Sequence, residues 1–202
     1  MTTTAIKEGV VNCLGAPWPE DLSPAFIDQL RAQGVTVVGC TANETWDDTI
    51  ESLENFASVK ATVRAHPHAY LVESAADLER EENRGKLGVL LGLQNPKALS
   101  DSPRLIDTFF DLGLRCLSLA FSENSYYGCG HANEVDTGLT TLGRHAIKRM
   151  NELGILIDLS HSGDRTAMDA VELTELPPIF THSTSRKLFN RPRSAPDPLI
   201  VA

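Results

Sequence analysis

The sequence predicts an α/β protein built from parallel βα units. Short apolar runs rich in β-branched residues recur along it, at Val35–Val38, Leu87–Leu93, Leu117–Phe121 and Leu153–Leu159. Longer segments of helical period separate them, and no succession of hairpin signals interrupts the alternation. Of the 202 residues, 42% are hydrophobic and 22% charged, the proportions of an ordinary globular domain, read here as a single domain over residues 1–202. Two architectures satisfy this alternation: an open doubly wound sheet, or a (β/α)₈ barrel that is incomplete, since a whole barrel takes ~250 residues. Neither GxGxxG nor GxxxxGK[ST] follows the first strand, so the dinucleotide and P-loop forms of the open sheet have no support.

The first strand is expected at Val10–Leu14, and Ser23-Pro24 then sets a cap and a first-turn proline before a helix over Ala25–Gln33, closed by Gly34. Val35–Cys40 is the second strand. Trp46–Lys60 follows as a helix, with Ile50, Leu53, Phe56 and Ala57 at steps of three and four. An accessory strand, Ala69–Val72, precedes a helix begun by Ser74 that carries the solvated charges Glu79–Glu82. Leu87–Leu93 is apolar almost throughout, as a strand buried on both faces must be, and ends in Gln94-Asn95-Pro96. A helix over Ser102–Leu112, a strand over Arg115–Phe121 and a long polar loop from Ser122 to Asp136 come next; a loop of that length inside a compact domain is usually functional. Leu142–Leu153 is helical and stopped by Gly154, Ile155–Leu159 is a strand, Asp164–Thr174 a helix and Pro178–Thr181 a strand. The Arg- and Pro-rich tail Phe189–Pro198 is read as irregular.

Eighteen Lys and Arg against 27 Asp and Glu leave a net charge of −9, which repels phosphate backbones and anionic lipid, so neither nucleic acid nor membrane is expected as a partner. Every apolar run falls well short of the ~20 residues that span a bilayer. The N-terminus shows no cationic start before an apolar core, and a cytoplasmic location is the expectation. Cys13, Cys40, Cys116 and Cys129 form no CxxC pair and read as small buried hydrophobes; Cys129, between two glycines, is the one expected to be accessible.

Parallel strands all end on one face, so reactive groups gather there. Gln94, His161 and His182 each sit at such an end, the last two in the similar contexts Leu159-Ser-His161-Ser and Phe180-Thr-His182-Ser. Two imidazoles and an oxygen donor suit zinc or a similar divalent ion. His66 and His68, flanking Pro67, and His145 are read as surface residues, while His131 lies in the long loop within reach of the site.

The span Gly88–Asp197 resembles the renal (membrane) dipeptidase family of zinc metallopeptidases. Leu112–Arg115, Gly138–Gly143, Met150–His161 and Pro178–Ser183 follow that family's order and spacing, the last two blocks being the most specific. The resemblance implies a (β/α)₈ TIM-like barrel of the metallo-dependent hydrolase type. It also implies proteolysis of dipeptides or small amides by a metal-activated water. His161 and His182 fall on the family's two histidine ligands of one metal, and Arg193, eleven residues past His182, on the arginine that binds the substrate carboxylate. The family's bridging glutamate falls on Gln94, its N-terminal His-x-Asp pair on Leu14 and Ala16, and its substrate-binding histidine on Phe121. In this the chain is most similar to a bacterial branch with Gln-Asn in place of the glutamate. The resemblance therefore implies His161, His182 and Gln94 around at most one zinc, because an amide cannot offset the repulsion of two dications ~3.5–4 Å apart. It also implies a C-terminally truncated member with little or no dipeptide hydrolysis. The alternative is a catalytically inactive or truncated member with a binding or structural role; a third reading is a fragment whose exposed last strand is covered in a homo-oligomer.

Overall fold

A computed structural model describes residues 9–16 and 18–202; the first eight residues, read above for a leader, lie outside the described part. Six strands form one sheet: β1 (Val10–Ala16), β2 (Val35–Thr41), β3 (Ala69–Leu71), β4 (Leu87–Leu93), β5 (Leu114–Ser118) and β6 (Leu156–Asp158). The main path runs β1-β2-β4-β5-β6, and every pairing is parallel. That order ascends without reversal, whereas a doubly wound sheet reverses its strand order at a switch point. The architecture is thus the partial TIM-like barrel, with β3 as a side strand on Leu87–Val89 at the start of β4 and β5 paired with the later residues Leu91–Leu93.

Helices α1 (Pro24–Ala32), α2 (Thr49–Ala65), α3 (Leu105–Asp111), α4 (Thr141–Leu153) and α5 (Asp164–Leu173) follow β1, β2, β4, β5 and β6 in turn. Each begins or ends for a local reason. The Ser23 hydroxyl accepts from the Phe26 N–H ahead of Pro24 in α1. Asp48 and Glu51 make a reciprocal capping box on α2, so this helix starts later than Trp46 and runs on to Ala65. Thr140 caps α4, and Gly154 ends it in the left-handed conformation that glycine adopts without strain. The helices cover the sheet and bury Ile27, Leu30, Phe56, Val59, Phe109, Ala146, Ile147 and Met150 against β-strand residues such as Val38, Val89, Leu91 and Ile157.

Three expected elements are altered. Ser74 opens two 3₁₀ turns, Ala75–Leu78 and Glu81–Asn83, rather than a helix. The Asp77 carboxylate takes the N–H groups of Glu73 and Ser74, and such side-chain bonds compete with helical ones. Pro178–Thr181 is reduced to one parallel bridge, Ile179 on Asp158, because Pro177 and Pro178 have no N–H to give. The tail ends in a short helix, α6 (Asp197–Val201), entered through Pro196 and Pro198. His66 is half-buried beside Asp28 instead of solvated, its Nε2 3.7 Å from the carboxylate.

Candidate functional site at the strand ends

Gln94, His161 and His182 end β4, follow β6 and follow the Ile179 bridge, and the barrel curvature brings them together. The Nε2 atoms of His161 and His182 are 2.9 Å apart, and Gln94 Nε2 lies 3.4 Å from His182 Nε2. Arg193 joins the cluster. One of its terminal nitrogens donates to His161 Nε2 at 2.9 Å and the other to the His182 carbonyl at 2.9 Å. All four expected site residues therefore meet in one place. Leu14 and Ala16 stand on β1, where the histidine and aspartate of the resembled family would be, and neither offers a ligand atom.

A buried carboxylate orients His182. Asp158, 3% exposed, accepts from the Ser160 and Thr181 N–H groups with one oxygen. Its other oxygen accepts from the Ser118 and Thr181 hydroxyls. Having given its only proton to Asp158, the Thr181 hydroxyl accepts from His182 Nδ1 at 2.6 Å. The His182 proton thus resides on Nδ1, and its Nε2 presents a lone pair to the site. A guanidinium has only donors, so Arg193 assigns a lone pair to His161 Nε2 as well. His161 Nδ1 is left buried without a partner. Burial, then the charge of Arg193 and the neighbouring imidazoles, push the His161 pKa down to about 2. The His182 pKa is lowered chiefly by burial and also by Arg193, against the opposing pull of Asp158.

His161 adopts φ +69°, a left-handed conformation unusual outside glycine and found where the surrounding structure imposes it. Phe121 stacks on its ring with centroids 4.2 Å apart. His131, from the long loop, lies 5.5 Å from it ring to ring, and the backbone N–H of His131 donates to the His161 carbonyl at 2.8 Å. Sequence reasoning set Phe121 at the family's substrate-binding histidine position but gave Asp158 and Thr181 no roles at the site. The polar Ile157-Asp158 step inside an otherwise apolar strand was the available signal for Asp158.

Arg193 donates to the His161 lone pair at 2.9 Å and the Gln94 amide faces the His182 lone pair at 3.4 Å, so both lone pairs point to one spot and meet cationic or N–H groups there. Zinc holds histidine nitrogens at ~2.0–2.1 Å in a tetrahedral site, which sets two of them ~3.3 Å apart, a small widening of the 2.9 Å here, and Gln94 turned over offers an amide oxygen. These residues suit one divalent ion. They do not suit a carboxylate-bridged pair, and among the described residues no group of three or more His, Cys, Asp or Glu side chains is placed to hold a metal. Cys129 is buried, its backbone N–H given to Thr166 and its sulfur beside Thr137, so the expectation that it is accessible fails. Burial raises the pKa of Cys40 to about 12 and that of Cys116 well above the usual thiol value, and neither is poised as a nucleophile.

Comparison with known proteins bears on the family and the fold. The membrane dipeptidase family, peptidase family M19, matches residues 21–202. Over 155 residues the chain is 31% identical to dipeptidase 3 of Mus musculus, covering 74% of this chain and 31% of that protein. It is 24% identical over 159 residues to an uncharacterized dipeptidase of Schizosaccharomyces pombe, covering 77% of this chain and 39% of that one. Among solved structures, an amidohydrolase from Pseudomonas aeruginosa superposes with a TM-score of 0.85 at 27% identity, over 96% of this chain and 58% of its own. A metallopeptidase from Rhodobacter sphaeroides, liganded with a phosphinate mimic of the dipeptide L-Ala-D-Ala, shares the fold at a TM-score of 0.76 and 18% identity, over 86% of this chain and 60% of its own. The chain spans about a third of the length of these curated relatives. By the extent of the family match and the order of its strands, the chain belongs to the membrane dipeptidase family, peptidase family M19.

Proposed function

We propose that the chain carries the site of a metallohydrolase that takes dipeptides or small amides, with one zinc ion held by His161, His182 and Gln94. The single observation supporting this most is the pair of proton-free Nε2 atoms at 2.9 Å. When bound, the ion supplies Lewis acidity and lowers the pKa of water. The protein's own part is orientation. Asp158 and Thr181 keep the His182 lone pair pointed inward, and Phe121 holds the His161 ring by stacking. Arg193 supplies a guanidinium whose fork matches a substrate carboxylate, and to receive it the side chain gives up its hydrogen bond to His161. His131, lining the same cavity as Arg193, confines the substrate from the loop side. Gln94, a neutral amide, stands where the resembled family has its bridging glutamate; this favours weak hydrolysis, and a second reading, a binding role without turnover, rests on that same substitution.

The test is elemental analysis of the purified chain together with turnover of L,L- and L,D-dipeptides in added zinc, for wild type and His182→Ala. One zinc per chain and slow turnover, both lost in His182→Ala, are expected. Two zinc ions per chain, or hydrolysis that survives the substitution, would overturn the proposal. One zinc with no hydrolysis selects the binding role.

A further inference from the structure

The histidine pair lies between two cavities of opposite character. One, of about 490 Å³, is lined by His131, His182, Arg191 and Arg193 and is cationic. The other, of about 690 Å³, is lined by Trp46, Pro96, Phe121, Glu123 and Tyr126, with Lys97 at its rim. Volumes of this size accommodate small organic ligands. Phe121 is common to both places: it lines the second cavity and its ring stacks on His161.

The aromatic residues of this second cavity are placed against the usual preference for burial. Trp46 is 76% exposed and Tyr126 is 60% exposed, although both border a concave surface that would cover them once filled. Their loops are tethered from below. Lys97 donates to the Trp46 carbonyl and sits 5.9 Å over its ring, Asn95 donates to the Thr45 carbonyl, and the Thr140 hydroxyl donates to the Tyr126 backbone carbonyl. Rigid, uncovered aromatic rings recognise apolar partners at low entropic cost.

We propose that this cavity is the pocket for an aromatic or bulky apolar side chain on the amino-terminal residue of the substrate. The assignment rests on the reading in which Arg193 takes the carboxylate. With that end placed in the cationic cavity, the amino-terminal residue extends past His161 and Phe121 into the aromatic one.

Binding calorimetry with the zinc-supplemented protein tests this, using L-Phe-Gly, Gly-Gly and L-Phe-Gly-amide as probes. L-Phe-Gly is expected to bind roughly tenfold or more tighter than Gly-Gly, the discrimination an apolar pocket achieves. Trp46→Ala and Tyr126→Ala, both at exposed positions, are each expected to shrink that ratio severalfold. A preference absent in the wild type, or undiminished in both variants, would overturn the pocket. Should L-Phe-Gly-amide bind as tightly as L-Phe-Gly and Arg193→Gln change neither, the carboxylate reading fails while the aromatic pocket stands. Failure of every probe to bind would overturn both.

Discussion

Thr181 shows how one hydroxyl decides the chemistry of a neighbouring ring. Placed between the buried Asp158 carboxylate and His182 Nδ1, at 2.7 and 2.6 Å, it converts a fixed negative charge into a fixed tautomer two residues of contact away. Groups in this relation to a metal-binding histidine typically carry 10–100-fold in metal affinity. Thr181→Val keeps the volume and removes the hydroxyl, so zinc affinity measured by competition with a chromogenic chelator is expected to fall by about that factor. Thr181→Ser, which keeps the oxygen, should restore most of it. Equal affinities in all three proteins would mean that the relay does not set the His182 lone pair. Arg193 acts on the other histidine in the opposite sense, since the hydrogen bond it gives to His161 Nε2 occupies the lone pair a metal needs.

At the scale of elements, the long loop from Ser122 to Asp136 is a structural part of the site. Tyr127 within it is 1% exposed, and a Cβ on Gly143 would collide with the Tyr127 carbonyl, so the loop lies directly on the start of α4. Its far end caps α5. One oxygen of Asp136 accepts from the Arg165 and Thr166 N–H groups at 2.7 and 3.1 Å, and the other from the Gly138 N–H and the Thr166 hydroxyl. Gly163, the residue before that helix, has no side chain to do so. These four bonds hold the Asp136 carboxyl below the usual range, against the effect of its partial burial. A cap is worth about 0.5–2 kcal/mol and a bond to a charged group about 1.5–3 kcal/mol. Asp136→Ala is therefore expected to lower the unfolding free energy by about 2 kcal/mol in urea titrations, with faster amide exchange at Cys129 and His131. Asp136→Asn, which retains acceptor capacity on one oxygen, should lose less.

For the whole molecule, parallel strands in ascending order put every strand end on one side, and the helices that cover the sheet force the two histidines inward. Their burial makes stability depend on pH in the metal-free protein. His161 folds with a pKa of about 2 and unfolds with one near the ordinary ~6.5, so between these values the unfolded chain binds a proton that the native chain does not. Stability is accordingly full above about pH 6.5 and declines as pH falls, by up to about 1.4 kcal/mol per pH unit for that group. His182, shifted in the same direction, adds to the decline. Asp136 and Asp77, lowered in the fold, contribute only below about pH 4, where unfolded carboxyls begin to protonate. Denaturant unfolding from pH 7.5 to 4.5 is thus expected to show a steady loss of stability that His161→Gln flattens. A wild-type stability that is level across this range would contradict a neutral, buried His161.

The sequence by itself determined the local structure and the inventory of the site. Alternating period, the Ser23-Pro24 and Gly154 boundaries and the apolar run Leu87–Leu93 are properties of neighbouring residues, and the parallel units they predict are present. Gln94, His161, His182 and Arg193 were legible because strand ends and motif spacing are also local. Where a side chain rather than periodicity decided a boundary, the reading slipped: Asp77 turned the Ser74 helix into 3₁₀ turns, and Pro177-Pro178 shortened the last strand to one bridge. Periodicity left an open sheet and a barrel both standing; the family resemblance implied the barrel, and the ascending strand order, a matter of which distant strands pair, shows it. Only the tertiary structure placed Arg193 against His161, linked Asp158 to His182 through Thr181 and set His161 at positive φ. The Arg193–His161 and Asp158–Thr181 contacts join positions 32 and 23 residues apart and, like the positive φ, depend on curvature and burial, which no window of sequence contains.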